Sequence, residues 1–314
     1  MHLRRKSWRA RLNFGNVLFL PALFAFTFSC QGQSSGETLV PDKMNAGDFR
    51  GWPTIRQEVG FVASSSNPVG SLMKDQLQVV EDGVLQPDIR VLGIDQPASI
   101  CLLVDQSSSM KNSGKALVAV AKHIIASARP TDEFAIVAFD KSVSMEQDFT
   151  TDPGKLLAAL DRVGFGGPSS FFDAVWASID QLSKRPIERR KILVVLSDGD
   201  DNFSHISFAD LLRKAQSPGS PLIDSLSPSP MESTGLHNLK VLSEKTGGWS
   251  FVPDKSNLGD KVAEIVGDIH SRYSLEYISG HSQRDGKRHK VEVRFVSATK
   301  TEPHFRQEYY APSH

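Results

Sequence analysis

Asp105, Ser107 and Ser109 stand in the order Asp-x-Ser-x-Ser directly behind an uninterrupted apolar run, residues 100–104. Such a run fits a strand buried on both faces. The loop leaving the carboxyl end of such a strand is where open α/β sheets place their ligands. A carboxylate and two hydroxyls are hard oxygen donors, the set that small hard cations take while keeping water or an outside ligand in their remaining positions. The pattern recurs at residues 191–199, Lys-Ile-Leu-Val-Val-Leu-Ser-Asp-Gly, an apolar strand that ends in the carboxylate of Asp198. Between the two, Gly166-Gly167-Pro168-Ser169-Ser170 runs into Phe171-Phe172-Asp173-Ala174, a glycine turn with hydroxyls ahead of a helix. Three loops therefore offer oxygen ligands.

Those loops need a scaffold that brings strand ends together, and the intervening sequence predicts one. Apolar spacing predicts helices over 114–128, 152–163, 172–182, 208–215, 236–245 and 258–271, with Asp152-Pro153 as cap and first turn of the second. Strands are expected at 134–139, 222–226 and 249–252. Alternation of this kind predicts an α/β fold, a doubly wound and mostly parallel sheet with helices on both faces. Short β-like runs precede it at 59–63, 77–81 and 89–92, and follow it at 273–278, 290–296 and 305–310. The flanking strands are expected to pair into one small β unit, with the α/β body inserted between them. The corresponding domains are 56–97, 98–272 and 273–314.

The 314 residues, 39% of them apolar and 23% charged, describe an ordinary globular chain. Lys plus Arg and Asp plus Glu number 36 each, but Arg4, Arg5, Lys6, Arg9 and Arg11 fall in a first segment that has no acid. The remainder is net acidic, which argues against nucleic acid as a partner. That basic start, the apolar stretch 17–28 and Ser29-Cys30 read as an export signal over residues 1–30 of bacterial lipoprotein type, too short to span a bilayer comfortably. Lipidation at Cys30, ordinary cleavage just beyond it and a retained anchor all place the body outside the cytoplasm, with membrane contact only through that end. Residues 31–55 are polar and read as a tether. Cys101, the other cysteine, reads as a small buried apolar residue in the first core strand.

The three loops together resemble the metal-ion-dependent adhesion site of a von Willebrand factor A domain. Asp105, Ser107, Ser109 and Asp198 match that motif directly, and Ser169 stands where the family has Thr. Pro168 sits between the glycine pair and Ser169, which leaves Ser170 as an alternative ligand. The chain also resembles the bacterial VWFA-related proteins best known from acidobacteria. That likeness spans about residues 58–310 and is carried by Lys74 to Gly83 followed by Gln86, by Lys245-Thr246-Gly247-Gly248, and by Tyr273 to Tyr277. The resemblance implies an exported, non-enzymatic binding module with a monomeric head. It implies one divalent cation, Mg²⁺ first with Mn²⁺ or Ca²⁺ as alternatives, and a partner protein that supplies a carboxylate.

Other readings compete. An A domain also serves as accessory subunit beside a membrane-associated ATPase. Ser108-Ser109-Met110-Lys111 and Lys245-Thr246-Gly247 are matches to penicillin-binding motifs of a serine acyl-enzyme, although no Ser-x-Asn stands between them. Asp200, Asp201 and Asn202 read as a solvated loop, Asp140 as a strand-end turn or an acid beside the site, and the nine His as ordinary surface residues.

Overall fold

The computed structural model describes residues 36–40, 51–61, 73–228, 231–253, 257–297 and 302–313. The export signal and Cys30 lie outside them. In chain order the elements begin with β1 (Glu37–Leu39), β2 (Thr54–Phe61), β3 (Leu77–Glu81), β4 (Val84–Leu85) and β5 (Ile89–Leu92). The α/β body follows as β6 (Ala98–Asp105), α1 (Gly114–Ala126), β7 (Glu133–Phe139), β8 (Val143–Thr150), α2 (Pro153–Leu160), α3 (Phe171–Ser183) and β9 (Arg190–Leu196). It continues through α4 (Phe208–Ala215), β10 (Leu222–Leu226), α5 (Thr234–Thr246), β11 (Ser250–Phe251) and α6 (Leu258–Ser271). Four strands close the chain: β12 (Tyr273–Ile278), β13 (Arg288–Phe295), β14 (Pro303–His304) and β15 (Glu308–Tyr310).

The central sheet has the order β1-β8-β7-β6-β9-β10-β11. Strands β7, β6, β9, β10 and β11 run parallel, while β8 and β1 add an antiparallel edge. Every residue of β6 is buried, because alternate side chains meet helices on opposite faces. Ile100, Leu102 and Val104 pack with α1, α2 and α6 through Leu117, Leu156 and Ile265. Cys101 and Leu103 pack with α3, α4 and α5 through Val175, Leu211 and Leu239. This is the doubly wound arrangement that the alternation predicts.

The flanking segments pair as expected. Strand β12 lies between β2 and β5, and β13 lies beside β3, giving two four-stranded antiparallel sheets, β14-β2-β12-β5 and β15-β13-β3-β4. Their inward residues, among them Ile55, Val59, Leu77, Val79, Leu275, Val291 and Val293, form a third apolar core. The seam with the α/β body is built from arginines. Buried Arg190 donates to Glu58 of β2 (2.9 Å) and to the Ile269 carbonyl (2.7 Å). Arg272, also buried, donates to Asp268 (2.6 Å) and to the Gly247 carbonyl (2.7 Å).

Three local differences from the sequence reading have physical causes. Strand β8 carries only Val143 and Met145 as buried apolar residues, too weak an alternation to stand out. Within the stretch read as a tether, Glu37–Leu39 pairs with β8 and buries only Leu39. Of the segment expected as one strand over 305–310, only β15 (Glu308–Tyr310) is strand; β14 lies just ahead of it, and the two belong to different sheets of the sandwich. At the crossover, buried Arg306 donates to the carbonyls of Ser217 (2.7 Å) and Ser220 (3.2 Å).

Candidate metal centre

Strands β6 and β9 are neighbours with parallel register, so the loops that leave their carboxyl ends start side by side. Asp105, the last residue of β6, is fully buried. Its Oδ1 accepts from the Ser107 amide (2.8 Å) and its Oδ2 from the Ser197 hydroxyl (2.6 Å). Burial lifts this carboxyl to about 6, and the Asp198 carboxylate adds to the lift against the hydrogen bonds from Ser107 and Ser197. The Ser107 and Ser109 hydroxyls lie 2.9 Å apart. Residues Ser108–Asn112 form a short 3-10 turn behind them.

The glycine-rich loop is laced to this first loop. The Gly166 amide donates to the Gln106 carbonyl (2.6 Å), the Ser108 amide to the Gly167 carbonyl (2.9 Å), and the Gly167 amide to the Ser108 hydroxyl (2.9 Å). Behind them the two candidate hydroxyls part. Ser170 donates to the Lys141 carbonyl (3.0 Å) and so is already engaged. The Ser169 hydroxyl is buried and has no hydrogen-bond partner. Buried polar atoms are nearly always paired, so Ser169 is the one with coordination capacity to spare.

Asp198 leaves β9 half-buried and accepts from the Asp200 amide (3.1 Å). Gly199 turns the chain there with φ of 78°, and its missing side chain leaves room for Gly235 at the start of α5. Burial and then the Asp198 carboxylate raise the Asp200 carboxyl. Crowded carboxylates of this kind are relieved by a cation. Asp105, Ser107, Ser109, Ser169 and Asp198 therefore lie on three interlocked loops at the carboxyl ends of the central strands, and their oxygens suit a hard divalent ion.

Several residues that hold the site are absent from the motif. Ser197 fixes Asp105 and accepts from the Gly199 amide (2.9 Å). Asn202 accepts from the Ser169 amide (2.9 Å), while the Asn202 and Phe203 amides return bonds to the Ser169 carbonyl (3.0 and 2.9 Å). Asp201 accepts from the Phe172 amide (3.2 Å). The segment read as a solvated loop is thus the brace of the hydroxyl loop. Asp140 makes a strand-end turn through Ser142 (2.9 Å), and its carbonyl accepts from the Ser170 amide (2.8 Å). Lys245 and Thr246 end helix α5, where the Thr246 hydroxyl donates to the Leu242 carbonyl of its own helix (3.0 Å).

Residues 100–200 match the family model of the von Willebrand factor type A domain, a span that holds all five candidate ligands. The chain carries a von Willebrand factor type A domain. A search of curated proteins finds no match to it. Among solved structures, the A-domain chain is similar to BatB, a conserved hypothetical protein of Bacteroides thetaiotaomicron, with 13% identity over 55% of this chain and 97% of that one, at a TM-score of 0.46. It is also similar to the von Willebrand factor type A protein of Catenulispora acidiphila, with 10% identity over 76% and 74% of the two chains, at a TM-score of 0.48. A third is proximal thread matrix protein 1 of the mussel byssus with a zinc-occupied MIDAS motif, with 18% identity over 60% and 50%, at a TM-score of 0.46.

Proposed function

We propose that this A domain binds one divalent cation, Mg²⁺ in preference to Mn²⁺ or Ca²⁺, and uses it to capture a carboxylate of a partner protein. The observation that carries the reading is the Ser169 hydroxyl, buried without a partner on a loop bonded to both other ligand loops. Asp105, Ser107, Ser109, Ser169 and Asp198 would hold the ion. When bound, the ion supplies a Lewis acid with a position left for an incoming acid. Asp105 is locked by two donors and cannot swing away. With Asp198 acting through water, Asp105 would be the one carboxylate in direct contact among three neutral hydroxyls, so the ion would keep net positive charge toward a negatively charged partner group. The mutual hydrogen bond of Ser107 and Ser109 suits a pair of ligands, not a nucleophile with its base. The protein is read as a binding module, monomeric, with an extracytoplasmic placement that rests on the basic-then-apolar start of the sequence.

Isothermal titration of Mg²⁺, Mn²⁺ and Ca²⁺ into the metal-stripped protein tests this, with Asp105→Ala and Ser169→Ala alongside. One ion per chain is expected for wild type. Binding should be lost in Asp105→Ala and weakened in Ser169→Ala. Absence of Mg²⁺ and Mn²⁺ binding in wild type would overturn the reading.

A further inference from the structure

The β sandwich contains a second cluster of donors, sharing no residue with the A-domain site. Its origin is the two-residue period of strands. Leu77, Val79 and Glu81 share the inward face of β3, and His289, Val291 and Val293 share the inward face of β13. A carboxylate and an imidazole are thereby carried into an apolar core, where Glu81 is fully buried and His289 is 5% exposed. His281 joins them from the loop after β12, its amide donating to the Ser279 hydroxyl (3.0 Å).

The partners of these groups are spent in a particular way. Oε1 of Glu81 accepts from the hydroxyls of Ser279 and Tyr309, both at 2.6 Å, while Oε2 is buried and unpartnered. Nδ1 of His289 lies 2.7 Å from Asp82 Oδ2, while its Nε2 is buried and unpartnered. Asp285 Oδ1 stands 3.8 Å from that nitrogen, beyond hydrogen-bond reach. With the proton on Nδ1, Nε2 of His289 is a buried acceptor without a donor, and the Glu81 carboxylate has beside it the buried Tyr277 hydroxyl, which makes no well-formed hydrogen bond. With a second proton on Nε2, that nitrogen is a buried donor without an acceptor in reach. A metal ion satisfies both atoms at once.

We propose that Glu81, His281 and His289 form a second metal site, for a divalent transition ion of which Zn²⁺ fits best. One donor atom from each lies within 4.8 Å of the others. Tetrahedral bonds of 2.0–2.1 Å require about 3.3 Å. His281, the exposed member, supplies the closing movement by rotating its ring. Two imidazoles and a carboxylate suit Zn²⁺ better than Mg²⁺ or Ca²⁺. The Asp82–His289 contact is the carboxylate–histidine support that orients metal-bound imidazoles. Glu81 and His289 belong to one sheet, and His281 follows β12 of the other. The ion would therefore tie the two sheets of the sandwich together.

The test uses the full-length chain in detergent, stripped with chelator, with Zn²⁺ titrated under saturating Mg²⁺ and again in Asp105→Ala. One Zn²⁺ per chain is expected in both conditions. His281→Ala, which changes a half-exposed residue, and Glu81→Gln should each weaken Zn²⁺ at least about tenfold while leaving Mg²⁺ binding unchanged. Co²⁺ loaded in place of Zn²⁺ should give the visible absorption of a low-coordinate site, lost in His281→Ala. No Zn²⁺ beyond an Asp105-dependent ion would overturn the proposal. So would Zn²⁺ affinity and a Co²⁺ spectrum that both variants leave as in wild type.

Discussion

Gly199→Ala is the sharpest probe of how the A-domain site is held. Gly199 sits in the left-handed region with φ of 78°, where an L side chain costs about 1–2 kcal/mol. A Cβ there would stand 2.3 Å from the Gly235 carbonyl oxygen and 2.6 Å from Leu239 Cγ. Relief requires the first turn of α5 to retreat by about 1 Å. Leu239 is fully buried against the sheet, so that retreat disturbs a packed core, at about 1–3 kcal/mol. Together the two effects predict a loss of about 2–5 kcal/mol, or roughly 4–20 °C in Tm at about 2–4 °C per kcal/mol for a body of this size. Urea unfolding of the metal-free protein reads the loss directly. Mg²⁺ affinity should fall as well, because Asp198 is the preceding residue. Gly267→Ala is the control of opposite sign. Gly267 is exposed within α6 and an added Cβ meets nothing within 4 Å, so this change should stabilise by about 0.5–1 kcal/mol. A Gly199→Ala protein within about 0.5 kcal/mol of wild type, the range of an innocuous surface change, would refute the close-approach argument.

Two further outcomes concern the seam. Arg190→Met leaves Glu58 facing the body without its buried partner and should cost about 3–5 kcal/mol in urea unfolding, most of it recovered when Glu58→Met is added. Asp132 is buried, which alone would raise its carboxyl, but hydrogen bonds from His270, the Ala98 amide and the Arg129 amide outweigh that and lower it. Its folded pKa lies below the unfolded value of about 3.9, so its stabilisation is present above about pH 4 and disappears as pH falls through the folded pKa. Asp132→Asn should therefore be less stable than wild type at pH 7, with the gap closing in acid, as read by denaturant midpoints across pH.

The sequence showed most clearly what strong periodicity writes into it. The apolar runs of β6 and β9, each closed by a carboxylate, mark in the sequence the loops that carry the candidate ligands. The choice between Ser169 and Ser170 was not legible, because it depends on a bond to the Lys141 carbonyl from a neighbouring strand end. Nor was the bracing by Asn202, an exposed residue whose side chain folds back onto a backbone amide. The Glu81–His281–His289 cluster was hidden for a different reason. Its members lie up to 208 positions apart, and histidines scattered in sequence look like surface residues. The one local signal was parity: Glu81 and His289 each fall on the inward step of their strand. Strand β8 does not stand out in the sequence, because a strand with two buried apolar residues hardly differs from a loop.

Strand β6 has Asp105 and the ligand loops at one end and Ala98, beside the arginine seam, at the other, about 23 Å away. A pull between a captured partner and the β unit would therefore run along the axis of this strand. On one side β6 is bonded to β7 over Ser99 to Asp105, on the other to β9 over Ala98 to Val104, both in parallel register. Those bonds slant across the line of force and share the load, so they must slip together and cannot open one after another. The central strand acts as a tie-rod, and mechanical extension should meet its main resistance there.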